Sequence, residues 1–208
     1  MVRQLVQLNR MGDGTVYLQI TRGPAPRSHL FPKETKPTLI GYCTSLSRPL
    51  QLQTNGMTAV TIPDIRWLQC DIKSLNLLPN TLAKQEAADA GAEEAILHRD
   101  GIVTECSASN LMMVRNGIIH THPANHLILH GITREIVLRL AAEEGITIIE
   151  EPFHLGDLRT ADELFITSTT VEIASIVEVD GYVIGGGIPG PLTRKLQQLF
   201  ESKIQSTT

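Results

Sequence analysis

The sequence predicts an α+β fold, in which short strands and a few helices are mixed without the regular βαβ alternation of a doubly wound sheet. Three observations indicate this class. Short runs of β-branched and aromatic residues recur along the chain, turn signals such as Arg115-Asn116-Gly117 separate them, and apolar residues fall at helical spacing over 133–144. With 208 residues, 42% of them hydrophobic and 19% charged, the chain can bury a sizeable core.

The N-terminal part of the chain predicts strands and one helix. The run TVYLQIT follows the turn signal Gly12-Asp13-Gly14 and is rich in β-branched residues, which is typical of a strand. A polar loop with several prolines comes next, and residues 47–56 have the composition of a connector, so we place a domain boundary between residues 50 and 51. The predicted elements here are strands over 15–21, 38–43 and 57–62 and a helix over 82–90 that ends at Gly91.

After Gly91 the pattern returns to short strands, and two further helices are predicted. The turn Arg99-Asp100-Gly101 separates the first strand from the next polar stretch, and Asp180-Gly181 marks a hairpin near the end of the chain. The predicted elements are strands over 94–98, 110–115, 117–121, 147–152 and 163–167, hairpin strands over 176–179 and 182–184, and helices over 133–144 and 190–204.

The charge and cysteine content exclude several classes of protein. Eighteen Lys and Arg residues against 22 Asp and Glu residues give a formal charge of −4, without the basic excess of a nucleic-acid-binding protein. Three widely spaced cysteines, Cys43, Cys70 and Cys106, indicate reduced thiols and a cytoplasmic location. No apolar run approaches the roughly 20 residues of a membrane span. We therefore expect no nucleic-acid partner and no membrane association.

The segment RWLQCDIKSLNLLPN places Lys73 among apolar residues of the kind that are usually buried. An ammonium group is seldom fully buried unless it is paired. One interpretation is a structural lysine that buries its aliphatic stem and extends its amine to water. The other is an amine that acts as a nucleophile or forms a Schiff base. The segment alone favours the structural interpretation.

The stretch TECSASN, residues 104–110, holds a carboxylate among small hydroxyl residues between two predicted strands. It is either a polar turn with Glu105 in water, or a site in which Glu105 holds a protonated ring nitrogen while Ser107 or Ser109 donates hydrogen bonds. Cys106 is more typical of a small buried filler than of a nucleophile.

Two further stretches have the donors that a phosphate group needs. Gly131-Ile132-Thr133 precedes the helix that is predicted to begin near Arg134, so Thr133 is either a helix N-cap or, with Ile132, a source of donors for an anion. The hydroxyl cluster over 167–170, which includes Thr169, is either a hydrophilic turn or a second set of phosphate donors.

Two other groups of side chains raise different possibilities. His122, His126 and His130 recur every four residues, as in helix-borne metal pairs, but Pro123 makes a continuous helix unfavourable and HExxH is missing, so we do not expect a metal. Arg27 and His29 lie two residues apart in the proline-bearing loop, and in an extended segment they could bind one carboxylate together, although such residues are more often simply solvated.

Taken together, these segments resemble the fold-type IV pyridoxal-phosphate aminotransferases, and most of all the D-amino acid aminotransferases among them. RWLQCDIKSLNLLPN is similar to the lysine segment of that family, EAILHRDGIVTECSASN to its glutamate segment, HTHPANHLILHGITR to its phosphate-helix segment and DELFITSTTVEI to its threonine segment. The similarity runs from about Val16 to Ile204. It implies a small α/β domain, truncated here to residues 1–50 with its linker, and a larger β-rich pseudo-barrel domain with helices over 51–208 that binds the cofactor.

The resemblance also implies a role for each matching residue. Lys73 would form the Schiff base with pyridoxal 5'-phosphate and carry a proton between the substrate Cα and the cofactor, and Glu105 would bind the pyridine nitrogen. Arg27 and His29 match a pair that binds the substrate carboxylate from the partner subunit, which implies a homodimer. The expected reaction converts D-alanine and 2-oxoglutarate to pyruvate and D-glutamate. The remaining cofactor contacts would come from Ser109, Leu129, Ile132, Thr133 and Thr169.

The chain also departs from the family pattern. Ala108 stands where the family has a hydroxyl residue, and the chain begins within the small domain, so a phosphate-binding arginine and a tyrosine of the carboxylate site are expected to be missing. Three alternatives follow: a branched-chain aminotransferase, an aminodeoxychorismate lyase, or a noncatalytic homologue that keeps the fold. A metal hydrolase built on the histidines is the weakest alternative.

Overall fold

The computed structural model describes residues 1–206, which fall into two compact units. The first unit is Met1–Arg48, and the second begins at Pro49. Within residues 1–206, no helix combines the length and hydrophobicity that a membrane span requires. The predicted domain boundary between residues 50 and 51 stays a prediction.

The first unit is a two-stranded antiparallel ribbon with one short helix. Strand β1 is Gly14–Thr21 and strand β2 is Thr38–Ser45, as the β-branched and aromatic composition predicts. Tyr17 lies opposite Tyr42 in the register, and their rings stack with centroids 5.0 Å apart. Helix α1, Val2–Leu8, was not predicted, although Val2, Leu5 and Val6 fall at helical spacing, and it buries no side chain.

The second unit contains a mixed nine-stranded sheet in its described part, with the strands in the order β5-β4-β3-β10-β9-β6-β7-β8 and β11 beside β10. Strand pairs β3–β4, β3–β10 and β7–β8 are parallel, and the others are antiparallel. This mixture confirms the predicted α+β class. The strands are β3 Met57–Pro63, β4 Glu94–Arg99, β5 Ile102–Cys106, β6 Asn110–Arg115, β7 Ile118–Thr121, β8 Ile148–Glu150, β9 Glu163–Ser168, β10 Glu172–Val179 and β11 Tyr182–Val183; the helices are α2 Leu50–Asn55, α3 Leu78–Asp89, α4 Ile132–Glu143, α5 Leu155–Leu158 and α6 Pro191–Gln205.

The core lies on both faces of this sheet because successive side chains of a strand point to opposite sides. On β9, Leu164 and Ile166 belong to one apolar cluster, whereas Phe165 between them belongs to the other. Helices α4 and α6 cover the second face with Val137 and Leu196. Burying a side chain such as Phe165 stabilises the fold by about 1.5–3 kcal/mol, so β6, β9 and β10 form a rigid support for the residues at their ends.

Three elements of the second unit also differ from the sequence prediction. Strand β5 was not predicted, because its polar residues were interpreted as a turn or a binding site; it pairs with β4 and buries those residues. Helix α2 occupies the predicted connector. Helix α3 begins four residues before the predicted start because Pro79, whose missing N–H needs no partner there, lies in its first turn.

Candidate active site

Glu105, at the centre of the site, is a buried carboxylate on β5 with only 4% of its surface exposed. The amide of Leu129 donates to both of its oxygens at 3.1 Å, and Asn110 Nδ2 donates to Oε2 at 2.8 Å. The Arg66 guanidinium forms an ion pair with Oε1. The alternative in which Glu105 lies in water is therefore wrong, because these three donors replace its hydration.

The proton affinity of Glu105 reflects two opposing influences. Burial raises the pKa of the Glu105 carboxyl to about 7, while the Arg66 charge and the Leu129 amide act to lower it. A carboxyl group with this pKa changes charge near neutral pH. A further cation placed against it would shift it to the ionised form, which is the form that a protonated ring nitrogen requires.

A second buried carboxylate, Asp64, lies behind Arg66, and the sequence analysis missed this pair. Asp64 Oδ1 accepts from Arg66 Nε and Oδ2 accepts from NH2, both at 2.9 Å, in a two-point contact. Thr104 Oγ1 and Arg99 Nε donate to Oδ2 at 3.0 and 3.1 Å. Burial by itself would raise the pKa of Asp64, but the Arg66 hydrogen bonds and charge outweigh it and hold that pKa below its usual value.

Asn110 connects Glu105 to the start of helix α4. Asn110 Nδ2 also donates to the Leu129 carbonyl at 2.8 Å, and a Cβ at Gly131 would overlap Asn110 Oδ1. Gly131 is the N-cap residue and provides no side-chain cap, so Thr133 lies inside the helix and is not its N-cap. Thr133 is buried, whereas Ile132 is exposed. The sequence needs glycine here because helix and amide approach so closely.

The register of the sheet places the hydroxyl cluster over 167–170 at the same end of the strands as Asn110. Asn110 pairs with Thr167 across β6 and β9, and β9 ends at Ser168. Thr169 follows in the turn to β10 with an exposed side chain. The Ser168 hydroxyl accepts the amide of Val171 at 3.2 Å, which closes this turn. The predicted threonine therefore follows the strand end that neighbours the glutamate segment.

Two other predicted residues flank the glutamate. Ser109 is buried, and its hydroxyl has no hydrogen-bond partner within the described residues. Leu129 is half-buried and directs its backbone amide at Glu105. A buried hydroxyl without a partner is uncommon in folded proteins and indicates a position that a bound polar group would satisfy.

Lys73 lies in the irregular segment between β3 and α3, and its side chain is exposed. Its apolar neighbours Ile72 and Leu75 are 51% and 61% exposed, so the expectation of burial is wrong for the described chain. The segment is held on both sides of the lysine. Cys70 N donates to His126 O at 2.7 Å, and Asn80 Nδ2 donates to Ser107 O at 2.8 Å. These bonds fix the lysine segment to the glutamate and helix segments.

The other predicted groups lie elsewhere. Arg27 and His29 are exposed in the loop over 22–37 of the first unit. The histidine segment is the end of β7 followed by turns, so His122, His126 and His130 do not share a helix. Among residues 1–206 no group of three or more side chains has the arrangement of a metal site.

Comparisons with known proteins identify the family. The amino-transferase class IV family matches residues 1–179. The D-alanine aminotransferase of Bacillus licheniformis is 46% identical over 207 residues, which cover 100% of this chain and 73% of that protein. The D-alanine aminotransferase of Staphylococcus haemolyticus is also 46% identical, over 99% of this chain and 73% of its own length.

Solved structures of class IV aminotransferases have the same fold as this chain. The Escherichia coli branched-chain amino acid aminotransferase superposes with a TM-score of 0.86 at 26% identity, over 96% of this chain and 68% of that one. The T.th. branched-chain amino acid aminotransferase with pyridoxamine 5'-phosphate gives a TM-score of 0.86 at 25% identity, over 100% of this chain and 70% of that one. The fold is therefore that of the fold-type IV aminotransferases, and this chain belongs to the class IV aminotransferase family.

Proposed function

We propose that this protein is a pyridoxal-phosphate-dependent D-amino acid aminotransferase that converts D-alanine and 2-oxoglutarate to pyruvate and D-glutamate. One observation carries the proposal: the 46% identity with D-alanine aminotransferases extends over the whole chain. The two solved branched-chain aminotransferases compared above are only 25–26% identical. We therefore assign the substrate by similarity to the D-alanine aminotransferases.

The residues of the site fit pyridoxal phosphate. The buried Ser109 hydroxyl has no partner within the described chain, and Glu105 is a buried carboxylate, the acceptor that a protonated ring nitrogen needs. The first turn of α4 has no side-chain cap, so its amides are available to a phosphate. These features suit, in turn, a ring substituent, a ring nitrogen and a phosphate.

Each side chain then has a defined role. Pyridoxal phosphate, when bound, supplies a ring that accepts electrons from the substrate Cα. Lys73 attaches the cofactor through its amine and, once released, moves the proton from Cα as a base and returns it as an acid. Glu105 holds the pyridine N–H, and Leu129 packs against the ring. The phosphate is held by Ile132, Thr133 and Thr169, with Ser109 as a further donor.

We assign the substrate carboxylate to Arg27 and His29, which we propose reach the site from the partner subunit. An arginine fork binds a carboxylate at two points, and the imidazole two residues away adds a third donor. Residues 1–50 are proposed to belong to a small domain with its linker, and residues 51–208 to the cofactor-binding domain. We also propose a homodimer in the cytoplasm. Exposed apolar side chains such as Ile65 and Leu68 suit a subunit interface, and the three cysteines are free thiols, as in a reducing compartment.

The test is the formation of pyruvate from D-alanine and 2-oxoglutarate by the protein supplied with pyridoxal phosphate. We expect turnover with D-alanine, little with L-alanine, and loss of D-alanine turnover in Arg27→Ala, with Arg22→Ala from the same loop as a matched control. Turnover of L-alanine at an equal rate would contradict the proposal. Light scattering of the same sample measures the subunit count.

The branched-chain alternative rests on the solved structures and predicts turnover of L-leucine in place of D-alanine. The lyase alternative predicts pyruvate release from aminodeoxychorismate. A folded protein that neither binds pyridoxal phosphate nor transaminates would instead establish the noncatalytic alternative. The three outcomes are distinguished by the same assay with different substrates.

A further inference from the structure

We propose that Asp64 and Arg66 are positioning residues that fix the orientation of Glu105 and set its charge, so that the site favours a protonated ring nitrogen. The inference rests on the proposed function for the identity of that ring. It concerns a pair of residues behind the glutamate, neither of which is assigned to the cofactor above. Their effect on Glu105 can be measured with or without a cofactor.

The geometry carries the inference, because Arg66 is held from three sides. Asp64 binds its Nε and NH2 at 2.9 Å each, and the Leu127 carbonyl accepts from NH2 at 3.2 Å. The remaining nitrogen, NH1, forms the ion pair with Glu105. A guanidinium is planar, so fixing one edge fixes the direction of the other nitrogen. The position of Asp64 therefore determines where Arg66 meets the glutamate.

The same contacts join Glu105 to the segment that supplies its second donor. Leu127, which binds Arg66, lies two residues before Leu129, whose amide donates to both carboxylate oxygens. Arg66 thus orders the backbone at Leu127 and the carboxylate together. Arg66 and Glu105 are 39 residues apart in the sequence, so the contact joins distant parts of the chain.

The cluster is buried and balanced in charge. The side chains of Asp64, Arg66 and Glu105 are 0%, 6% and 5% exposed, so solvent screens their mutual interactions weakly. The cluster has two carboxylates and two guanidiniums: Asp64, Glu105, Arg66 and Arg99. Arg66 pairs with both carboxylates, whereas Arg99 pairs with Asp64 and not with Glu105. Removing any one of these charges leaves the others unbalanced.

All charged and titratable groups around Glu105 must be considered together. Arg66 stabilises its ionised form, Asp64 opposes ionisation, and Arg99 acts through Asp64. Cys70 and Cys106 also lie near the cluster, but burial raises the pKa of both thiols, so they carry no charge near neutral pH. The two members of the pair therefore affect Glu105 in opposite directions.

Titration of Glu105 in the full chain without cofactor tests this inference. The infrared band of the protonated carboxyl is followed against pH in protein with isotope-labelled glutamate, and the band is assigned by its loss in Glu105→Gln. Arg66→Gln should raise the pKa of Glu105 by about 1 to 3 pH units, because an opposite charge at contact distance is removed. Asp64→Asn should lower it. Arg66→Lys should return it towards the value of the unmodified protein.

A matched control is the ion pair of Arg115 with Asp157, which lies elsewhere on the unit. Arg115→Gln and Asp157→Asn should leave the Glu105 titration unchanged. Each variant is checked for cooperative thermal unfolding. If Arg66→Gln does not fold, Arg99→Gln serves instead, and it should give a smaller rise of the Glu105 pKa because the Arg99 guanidinium pairs with Asp64 and not with Glu105.

Shifts of the Glu105 pKa in the same direction for Arg66→Gln and Asp64→Asn, or no shift in either folded variant, would overturn the inference. The experiment does not depend on pyridoxal phosphate. Failure of the protein to bind the cofactor would contradict the proposed function and leave the titration readable, so the two failures are distinguishable.

Discussion

The glutamate strand and the lysine segment prepare the two halves of the site in different ways. Glu105 lies on β5, is 4% exposed, and meets donors from Arg66, Asn110 and Leu129. Lys73 lies in an irregular segment, with its side chain exposed and only the residues around it anchored. The proposed acceptor, Glu105, is held in place by contacts from several segments, whereas the proposed nucleophile, Lys73, has an exposed side chain.

This difference follows from what each group must do. A carboxylate that holds a ring nitrogen throughout a reaction benefits from fixed donors, since the cost of its orientation is met during folding. An amine that alternately bonds to a cofactor and moves a proton must change its position. We therefore expect changes at Lys73 to affect chemistry alone, and changes around Glu105 to affect both chemistry and folding.

The largest expected effect is that of Lys73→Ala on catalysis. Transamination should fall by at least about 10² to 10⁴-fold, because a base and nucleophile is removed. The free energy of unfolding should change by no more than about 0.5 kcal/mol, since the side chain is exposed. Enzyme assays and urea unfolding measure the two quantities, with Lys84→Ala on α3 as a lysine control. A large loss of stability would contradict the contrast between the two regions.

A smaller effect is expected at the close contact between α4 and Asn110. Gly131→Ala should destabilise the protein by about 1–3 kcal/mol, because its Cβ would overlap Asn110 Oδ1 and displace a donor of Glu105. Gly156→Ala is the matched control, since a Cβ there meets nothing within 4 Å. Chemical denaturation measures both variants. Equal stabilities for the two would show that the Asn110 contact does not hold the glutamate region in place.

A third expected effect, spread over more than two pH units, is a dependence of stability on pH. The pKa of Glu105 is about 7 in the folded protein, against 4.5 for an unperturbed glutamate, so the folded state binds more protons between these values. The Glu105 contribution to the free energy of unfolding should therefore fall as pH rises from about 4.5 to 7. This part of the slope should be lost in Glu105→Gln and kept in Asp157→Asn. Denaturation at a series of pH values tests it, and an unchanged slope in Glu105→Gln would contradict it.

Local patterns predicted much of the fold but only part of the site. Strand β6 and helix α4 were found within a residue because their apolar periodicity and turn residues are local signals. Strand β5 was missed because Thr104 and Glu105 are polar, and only partners far along the chain make their burial favourable. The exposure of Ile72 and Leu75 beside Lys73 was missed because apolar residues usually indicate burial.

The Asp64 and Arg66 pair shows most clearly which part of the site local sequence patterns could not predict. The alternation Asp64-Ile65-Arg66 after a predicted strand places both polar side chains on one side, and this is the only local signal. Their meeting with Glu105 depends on the pairing of β3 with β4 and of β4 with β5. No spacing in the sequence specifies that pairing.

The most direct test of the central claim is the site at which pyridoxal phosphate attaches. The protein is incubated with pyridoxal phosphate, reduced with borohydride and digested, and the modified peptide is identified by mass spectrometry. We predict a phosphopyridoxyl group on Lys73, which is lost in Lys73→Ala and persists in Lys84→Ala. Modification spread over several surface lysines, or unchanged labelling in Lys73→Ala, would contradict the account.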